Sequence, residues 1–492
     1  MLRKEIRLSA IFTIVLILSF TTVLAQKKLT QNKLPNIVLL YVDDLGWTDL
    51  ACYGSSFYET PNIDRLAASG MKFTNGYSPC TVCSPSRASM LTGKNPARLR
   101  ITDWITGHNM PYAKLLPPDW TQHLPLEEIT IAELLKNQEY ATANIGKWHL
   151  GDDVKYYPEH QGFDINIGGN YAGQPGSYFS PYNTPRLKDG PPGEYLTDRQ
   201  TIEAEKFIRQ NTNRPFFLYL SYYAVHTPLQ AKKEDIEYFK SKINSAAQQK
   251  NATYAAMIKS TDESVGRIMA VLDQLDLTEN TLIVFTSDNG GLIGGRRLDR
   301  DAITSNKPLR MGKGSNYEGG IRVPFIFSWK GRINAGTESS VPIIGSDLFS
   351  TFAGISGSKI SSKQKMDGVN LFPLLTKQKQ IKRKELYWHY PHYHPEGGTP
   401  HTAIREGYWK LIYFYEDGKK ELYNLNNDTG ELQDLSTSMP NITNRLYKKL
   451  VDWKKQSGAQ EPILNSRYDS GRATEVVAPP KRKVSDEASN ER

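Results

Sequence analysis

The run Ile37-Val38-Leu39-Leu40-Tyr41-Val42 is uninterrupted and apolar, and it stops abruptly at two adjacent carboxylates, Asp43 and Asp44. A run of this length without alternation describes a strand covered on both faces, as in a parallel sheet between two layers of helices. The pattern recurs along the chain. Residues 141–145 lead into Gly146-Lys147-Trp148-His149, and residues 216–222 lead into Ala224-Val225-His226-Thr227-Pro228. Leu282-Ile283-Val284-Phe285-Thr286 ends in Ser287-Asp288-Asn289-Gly290. Each polar group follows a predicted buried strand. The carboxyl ends of parallel strands share one sheet edge, where ligands bind. Residues between 43 and 288 are therefore expected to converge there.

Helices are predicted between these strands. Residues 61–69 form a short one, and Thr130 with Glu133 is a capping box for another, to about Asn137. Thr197 with Gln200 reads as a second capping box, for a helix to about Arg209, and residues 251–275 are a longer amphipathic helix. A strand over 323–329 and a helix over 346–353 complete an α/β sandwich around a mostly parallel sheet. Residues 152–195 are rich in Gly, Pro, Tyr and Asn with little periodicity, the composition of a substrate-facing surface. Near residue 385 the pattern changes. Short strands over 386–390, 402–405, 408–415 and 421–425, then a helix over 441–455, describe a small antiparallel sheet with one helix. The expected organisation is a signal peptide over 1–25, a main domain over 26–384, a C-terminal subdomain over 385–468 and a polar, basic, disordered tail over 469–492.

The first 25 residues carry Arg3, Lys4 and Arg7, then an apolar stretch from Ala10 to Phe20, and Val23-Leu24-Ala25 before Gln26. That is the layout of a cleaved secretory signal, which implies an exported protein, periplasmic or secreted, with no membrane attachment after cleavage. Hydrophobic residues at 39% and aromatics at 11% supply a core for 492 residues. The net charge of +9 fits either a polyanionic partner or an ordinary basic surface, and no nucleic-acid motif accompanies it. Cys52, Cys80 and Cys83 exclude an even disulfide framework, and no second Cys or His pair stands at zinc-finger spacing. Pairing of Cys52 with Cys80 stays open.

Asp43, Asp44, Asp288 and Asn289 are oxygen ligands of the kind a hard divalent cation takes, which favours Ca²⁺ or Mg²⁺ over zinc. Arg87, Lys147 and Lys313 supply positive charge for the oxygens of a tetrahedral anion, and His149 and His226 can transfer protons. The stretch Cys83-Ser84-Pro85-Ser86-Arg87-Ala88-Ser89-Met90-Leu91-Thr92-Gly93 places a thiol just before a helix, with Pro85 at the first helical position and Gly93 at its end. There the helix dipole and Arg87 favour negative charge, so the residues describe either a reactive thiolate or a buried cysteine beside a short helix.

Cys83-x-Pro85-Ser86-Arg87 followed by Leu91-Thr92-Gly93 resembles the modification motif of the type I, formylglycine-dependent sulfatases, members of the alkaline-phosphatase-like superfamily. The likeness continues through Thr60-Pro61-Asn62-Ile63-Asp64-Arg65-Leu66, Gly146-Lys147-Trp148-His149, Val225-His226-Thr227-Pro228, Ser287-Asp288-Asn289-Gly290 and Lys313 before Tyr317-Glu318-Gly319-Gly320. The resemblance implies that Cys83 is converted to 3-oxoalanine (Cα-formylglycine) by a formylglycine-generating enzyme or an anaerobic maturase. It implies one Ca²⁺ held by Asp43, Asp44, residue 83, Asp288 and Asn289. Arg87 and Lys147 would orient the aldehyde hydrate, and Lys147, His226 and Lys313 would contact sulfate. His226 would protonate the leaving oxygen and His149 would take a proton from the hydrate. The C-terminal pattern resembles bacterial polysaccharide sulfatases, implying exo action on sulfated oligosaccharides of an algal galactan, ulvan or glycosaminoglycan. Trp104, beside Asp103 and His108, and His392, His394 and Arg405 are the candidate substrate contacts. Two alternatives stand beside this reading: phosphonate or phosphate ester hydrolysis on the same fold, and non-catalytic binding of sulfated glycans.

Overall fold

The computed structural model describes residues 34–244, 246–294, 302–377 and 379–477. The expected signal peptide and the last fifteen or so tail residues lie outside them. The main sheet contains β1 (Asn36–Val42), β2 (Met71–Phe73), β3 (Ala141–Gly146), β4 (Ile165–Ile167), β5 (Phe216–Ser221), β6 (Thr281–Ser287), β7 (Phe325–Ser328) and β8 (Thr337–Ser339). Their order is β8-β2-β7-β6-β1-β5-β3-β4. β1 is central and parallel to both neighbours, with Tyr41 beside Ser221 on one side and Thr286 on the other. β3 is parallel to β5 and to β4. Among the paired strands only β7 runs antiparallel to its neighbours, β2 and β6. The sheet is thus mixed and mostly parallel, as the apolar runs require.

Alternate residues of β1 serve two separate cores. Val38, Leu40 and Val42 pack with helices α1 (Pro61–Ala68), α4 (Leu196–Gln210) and α5 (Ala252–Gln274). Ile37, Leu39 and Tyr41 pack with α2 (Cys83–Thr92), α3 (Ile131–Lys136) and α6 (Asp347–Ser356). Burying a strand on both faces in this way leaves its carboxyl end as the one place where polar side chains can gather.

Several local expectations need correction. α2 begins with Cys83 itself, so Pro85 is its third residue, and Cys83 stands in the first turn, not ahead of it. α4 has Tyr195 as its N-cap without a side-chain bond, so the Thr197–Gln200 capping box does not form. The Gln200 amide instead donates to the Ser221 carbonyl at 3.2 Å, at the end of β5. β4 lies inside the stretch expected to be irregular, added at the sheet edge beside β3. Residues 469–477, expected in a disordered tail, run beside the 109–112 segment, with Asp469 N donating to Tyr112 O at 3.2 Å and Val477 N to Asn109 O at 2.9 Å.

The C-terminal sheet is antiparallel in the order β9 (Glu385–Tyr390), β10 (His401–Glu406), β11 (Trp409–Phe414), β12 (Lys420–Asn424). Its one face is covered by α7 (Pro440–Ser457) through Leu446, Leu450 and Trp453. The other packs on the main domain at Tyr77, Tyr317 and Ile321. That junction is ionic at its centre. The fully buried Lys410 Nζ lies 2.8 Å from both Glu318 Oε1 and Glu431 Oε1, and Arg322 Nε lies 2.9 Å from Glu318 Oε2. Glu318 opens a Gly319-Gly320 segment that only glycine fits: a Cβ on Gly320 would meet Ser315 O at 1.9 Å, and one on Gly290 would meet Gly319 O at 1.9 Å.

The capping box of α3 forms as the sequence predicts: Glu133 N donates to Thr130 Oγ1 at 3.1 Å and Thr130 N to Glu133 Oε2 at 2.8 Å. Thr130→Ala should therefore destabilise the protein by about 1 kcal/mol, read as a fall of about 2 °C in Tm by calorimetry.

Candidate active site

The carboxyl ends of β1, β3, β5 and β6 meet as expected, and charge organises them. Arg87, from the second turn of α2, is completely buried. Its Nη2 lies 2.7 Å from Asp288 Oδ2 and 3.5 Å from Asp43 Oδ1, and its Nη1 donates to Ser221 Oγ at 2.5 Å. Lys147 Nζ reaches Asp43 Oδ2 at 2.6 Å. Lys313 Nζ donates to both oxygens of Asp44, at 2.7 and 2.9 Å, and Asn289 Nδ2 donates to Asp44 Oδ1 at 2.7 Å. Three buried carboxylates thus face three cations. Asp44 adopts φ of 60°, and its amide is held by Asp288 Oδ1 at 3.1 Å.

The environments of the carboxylates differ. Burial, with Asp288 next, pushes the Asp43 carboxyl well above the usual range against the pull of Lys147 and Arg87. Burial also opposes charge on Asp44, but Lys313, His226 and Lys147 outweigh it and hold that carboxyl far below the usual range. Asp288 is buried as well and is held low chiefly by Arg87. Lys313 is held cationic against its burial, principally by Asp44.

These residues fit a divalent cation. Asp43 Oδ1 and Asn289 Oδ1 are buried and without a hydrogen-bond partner, which is costly unless something positive fills the gap. Ligand atoms of Asp43, Asp44 and His226 lie within 4.8 Å of one another. Asp288 is more engaged, with Oδ2 taken by Arg87 and Oδ1 by the Asp44 amide. A +2 ion among three carboxylates and three cations leaves the site net positive, as an anionic ester requires.

His149 faces residue 83. Its Nδ1 lies 3.5 Å from Cys83 Sγ, while its Nε2 bonds the Ile105 carbonyl. A carbonyl only accepts, so Nε2 carries the proton and Nδ1 turns a lone pair toward residue 83. Burial, with Lys147 next, keeps this imidazole far below its ordinary pKa, hence neutral. Ser84 Oγ locks the arrangement, donating to His149 O at 2.9 Å and accepting from Ile105 N at 3.0 Å. His226 Nδ1 bonds Thr227 O at 2.8 Å, which leaves Nε2 3.6 Å from Asp44 Oδ2. Burial lowers its pKa to about 3.

The expected substrate residues separate into two groups. Trp104 and His394 flank the site. The Trp104 ring lies 6.2 Å from that of His149 and its Nε1 donates to His108 Nδ1 at 2.9 Å, while the His108 and His394 rings are 5.1 Å apart. His392 and Arg405 are buried and bonded to neighbouring protein groups. His392 is 3% exposed, bonded to Thr102 Oγ1 at 2.8 Å, and Arg405 is 5% exposed, bonded to Gly407 O at 2.8 Å and to Tyr77 Oη. Both are held inward by the packing of the C-terminal sheet. Cys52, Cys80 and Cys83 are all free thiols, which closes the question of a Cys52–Cys80 bridge in this structure. Residues that carry no motif also build the site. The Ile105 carbonyl and Ser84 set the His149 tautomer, and Gly173 lies against that ring so closely that a Cβ would meet Cε1 at 2.6 Å. Glycine within the irregular 152–195 stretch was the only sign of the last.

The sequence profile of the sulfatase family matches residues 35–358, and that of the N-sulphoglucosamine sulphohydrolase C-terminal region matches residues 311–456. A sulfatase of Formosa agariphila is 30% identical over 89% of this chain and 92% of its own length. Human N-acetylgalactosamine-6-sulfatase is 34% identical over 72% of this chain and 68% of its own. The crystal structure of Ps i-CgsB in complex with k-i-k-neocarrahexaose has a TM-score of 0.74 at 32% identity, covering 89% of this chain and 96% of that one.

Removing the central guanidinium leaves Asp43 and Asp288 buried and facing each other. Arg87→Met should cost about 3–5 kcal/mol, seen as a large fall in Tm, and added CaCl₂ should restore part of it.

Proposed function

The chain belongs to the sulfatase family and is a sulfuric ester hydrolase, and on that premise we propose that it removes sulfate from a sulfated carbohydrate using a formylglycine made from Cys83. The observation that carries this reading is the placement of His149, whose Nε2 is bonded to the Ile105 carbonyl while Nδ1 faces residue 83 at 3.5 Å. A proton acceptor fixed in that position has work only if residue 83 bears a proton to give up during turnover.

Matured residue 83 supplies a geminal diol, one hydroxyl to displace the alcohol at sulfur and the other to expel sulfate afterwards. Asp43, Asp44, Asn289 and residue 83, with Asp288 behind them, would hold calcium, which supplies a Lewis acid for the nucleophile and the sulfate oxygens. Lys147 and Lys313 bring cationic donors to the sulfate oxygens, where charge accumulates as sulfur is attacked. Arg87 holds Asp43 and Asp288 in place from behind and keeps its charge throughout. His226 is oriented by Thr227 so that Nε2 is available at the mouth, and an arriving anion raises its proton affinity from the low value set by burial. It is therefore placed to take up a proton at Nε2 from solvent when the anion binds and to give that proton to the departing alcohol oxygen. His149 Nδ1 takes the proton from the second hydroxyl, and Nε2 stays bonded to Ile105 O.

A carbohydrate substrate is supported by the wall of Trp104, His108 and His394, which offers an indole face and imidazoles to a sugar ring. It is supported also by the likeness to Ps i-CgsB, which was crystallised with a neocarrahexaose. The substrates we propose are oligosaccharides of an algal galactan, ulvan or glycosaminoglycan, attacked at a terminal unit by an exported enzyme.

The deciding experiment is incubation of matured protein, its aldehyde verified by intact mass, with defined carrageenan, ulvan and chondroitin oligosaccharides. Free sulfate should appear without shortening of the sugar chain, and faster hydrolysis of an aryl phosphate than of its sulfate analogue would overturn the reading. In Cys83→Ser the sulfated residue cannot be released for want of a second hydroxyl. Turnover should fall at least about 10³-fold while Tm and calcium uptake stay close to wild type. Undiminished turnover in that variant would refute the role of residue 83.

A further inference from the structure

Behind the cation ligands lies a fourth buried carboxylate, one that the chemistry above does not use. Asp49 is completely buried, and among the described residues no basic side chain forms an ion pair with it. It is held instead by four neutral donors. Oδ2 accepts from Gly46 N at 2.9 Å and from Tyr254 Oη at 2.7 Å. Oδ1 accepts from Thr304 Oγ1 at 2.8 Å and from Gln249 Nε2 at 3.1 Å.

A buried carboxylate with no counter-ion among the described residues is an expensive way to satisfy four neutral donors. Two of the donors explain the choice. Gly46 N, two residues after Asp44, is tied to the Asp49 side chain while Asp49 N donates back to Gly46 O at 3.1 Å, and the Tyr254 hydroxyl also lies 3.3 Å from the Asp44 carbonyl. Asp44 itself sits at φ of 60°, a left-handed conformation that few residues other than glycine, asparagine and aspartate adopt. Its amide is held from the front by Asp288, and behind it the single proton of the Tyr254 hydroxyl is shared between Asp49 Oδ2 at 2.7 Å and the Asp44 carbonyl at 3.3 Å, so that Asp49 sets where that hydroxyl stands. Gly46 packs so tightly here that a Cβ would meet Asn306 Oδ1 at 2.4 Å and Asp49 Oδ2 at 2.9 Å.

We propose that Asp49 is a positioning residue for the cation site, holding Asp44 in its ligating conformation through the Gly46 amide and the Tyr254 hydroxyl. This rests on the reading of Asp44 as a calcium ligand. Support shells of this kind typically alter metal affinity by about 10–100-fold.

The test is calorimetric titration of the EDTA-stripped full chain with CaCl₂. Asp49→Asn should raise the calcium Kd about tenfold, and Tyr254→Phe, which keeps the charge but cuts the link, about threefold or more. For Tyr254→Phe, kcat at limiting calcium should fall and recover at high calcium, with KM for the sulfate ester unchanged. A merely structural role would lower Tm in the metal-free state and leave Kd alone. Calcium affinities within twofold of wild type in folded variants would overturn the proposal, and if Asp49→Asn fails to fold, Tyr254→Phe decides. A wild-type chain that takes up no calcium would overturn the cation reading itself, and this inference with it.

Discussion

One guanidinium holds the catalytic edge together. Arg87 touches Asp43 at the end of β1, Ser221 at the end of β5 and Asp288 at the end of β6, and its Nη1 also lies 3.5 Å from Lys147 O after β3. Four strands that approach within hydrogen-bonding distance along their length would otherwise bring two carboxylates together in a dry pocket. A planar, permanently charged fork with several donors suits that position in a way a lysine would not. Because α2 carries both Arg87 and Cys83, the helix that neutralises the strand ends also sets where residue 83 stands. The alternatives of reactive thiolate and buried cysteine at Cys83 thereby merge. The residue is buried, and it is also where the proposed chemistry takes place.

Most of the main domain was legible in the sequence because its strands are buried on both faces, and such strands announce themselves by unbroken apolarity. The polar residues that follow them were legible for the same reason, since a buried strand leaves its carboxyl end as the outlet for charge. What could not be read depended on contacts between distant loops. The Thr197–Gln200 pair has the spacing of a capping box, yet Gln200 is drawn to the Ser221 carbonyl. β4 is three residues long and half-buried, too short to impose a period. His392 and Arg405 looked like substrate contacts because histidine and arginine in aromatic surroundings suit sugars, but the same chemistry suits an inward-facing packing layer. Gly173 by close packing and the Ile105 carbonyl by a hydrogen bond fix the His149 ring, and neither belongs to a motif.

The three carboxylates and three cations of the site balance one another in charge, yet two buried acceptor oxygens are left without a hydrogen-bond partner. That combination separates stability from readiness. Ion pairing among Arg87, Lys147, Lys313 and their acids holds the frame, and the orphaned oxygens of Asp43 and Asn289 mark the place where a cation would complete it.

The ionic junction around Lys410 bears on how proteins of this architecture can be recombined. Glu318 is clamped from the C-terminal sheet by Lys410, and the Gly319-Gly320 segment beside it abuts both the loop of Lys313 and the turn that follows Asn289. The boundary near residue 385 therefore divides the sequence but not the catalytic apparatus. Grafting a foreign C-terminal sheet to acquire a new sugar preference would exchange the counter-ion of Glu318 as well. A chimaera would have to carry its own lysine into that buried position, or the altered specificity would come with a loosened catalytic edge.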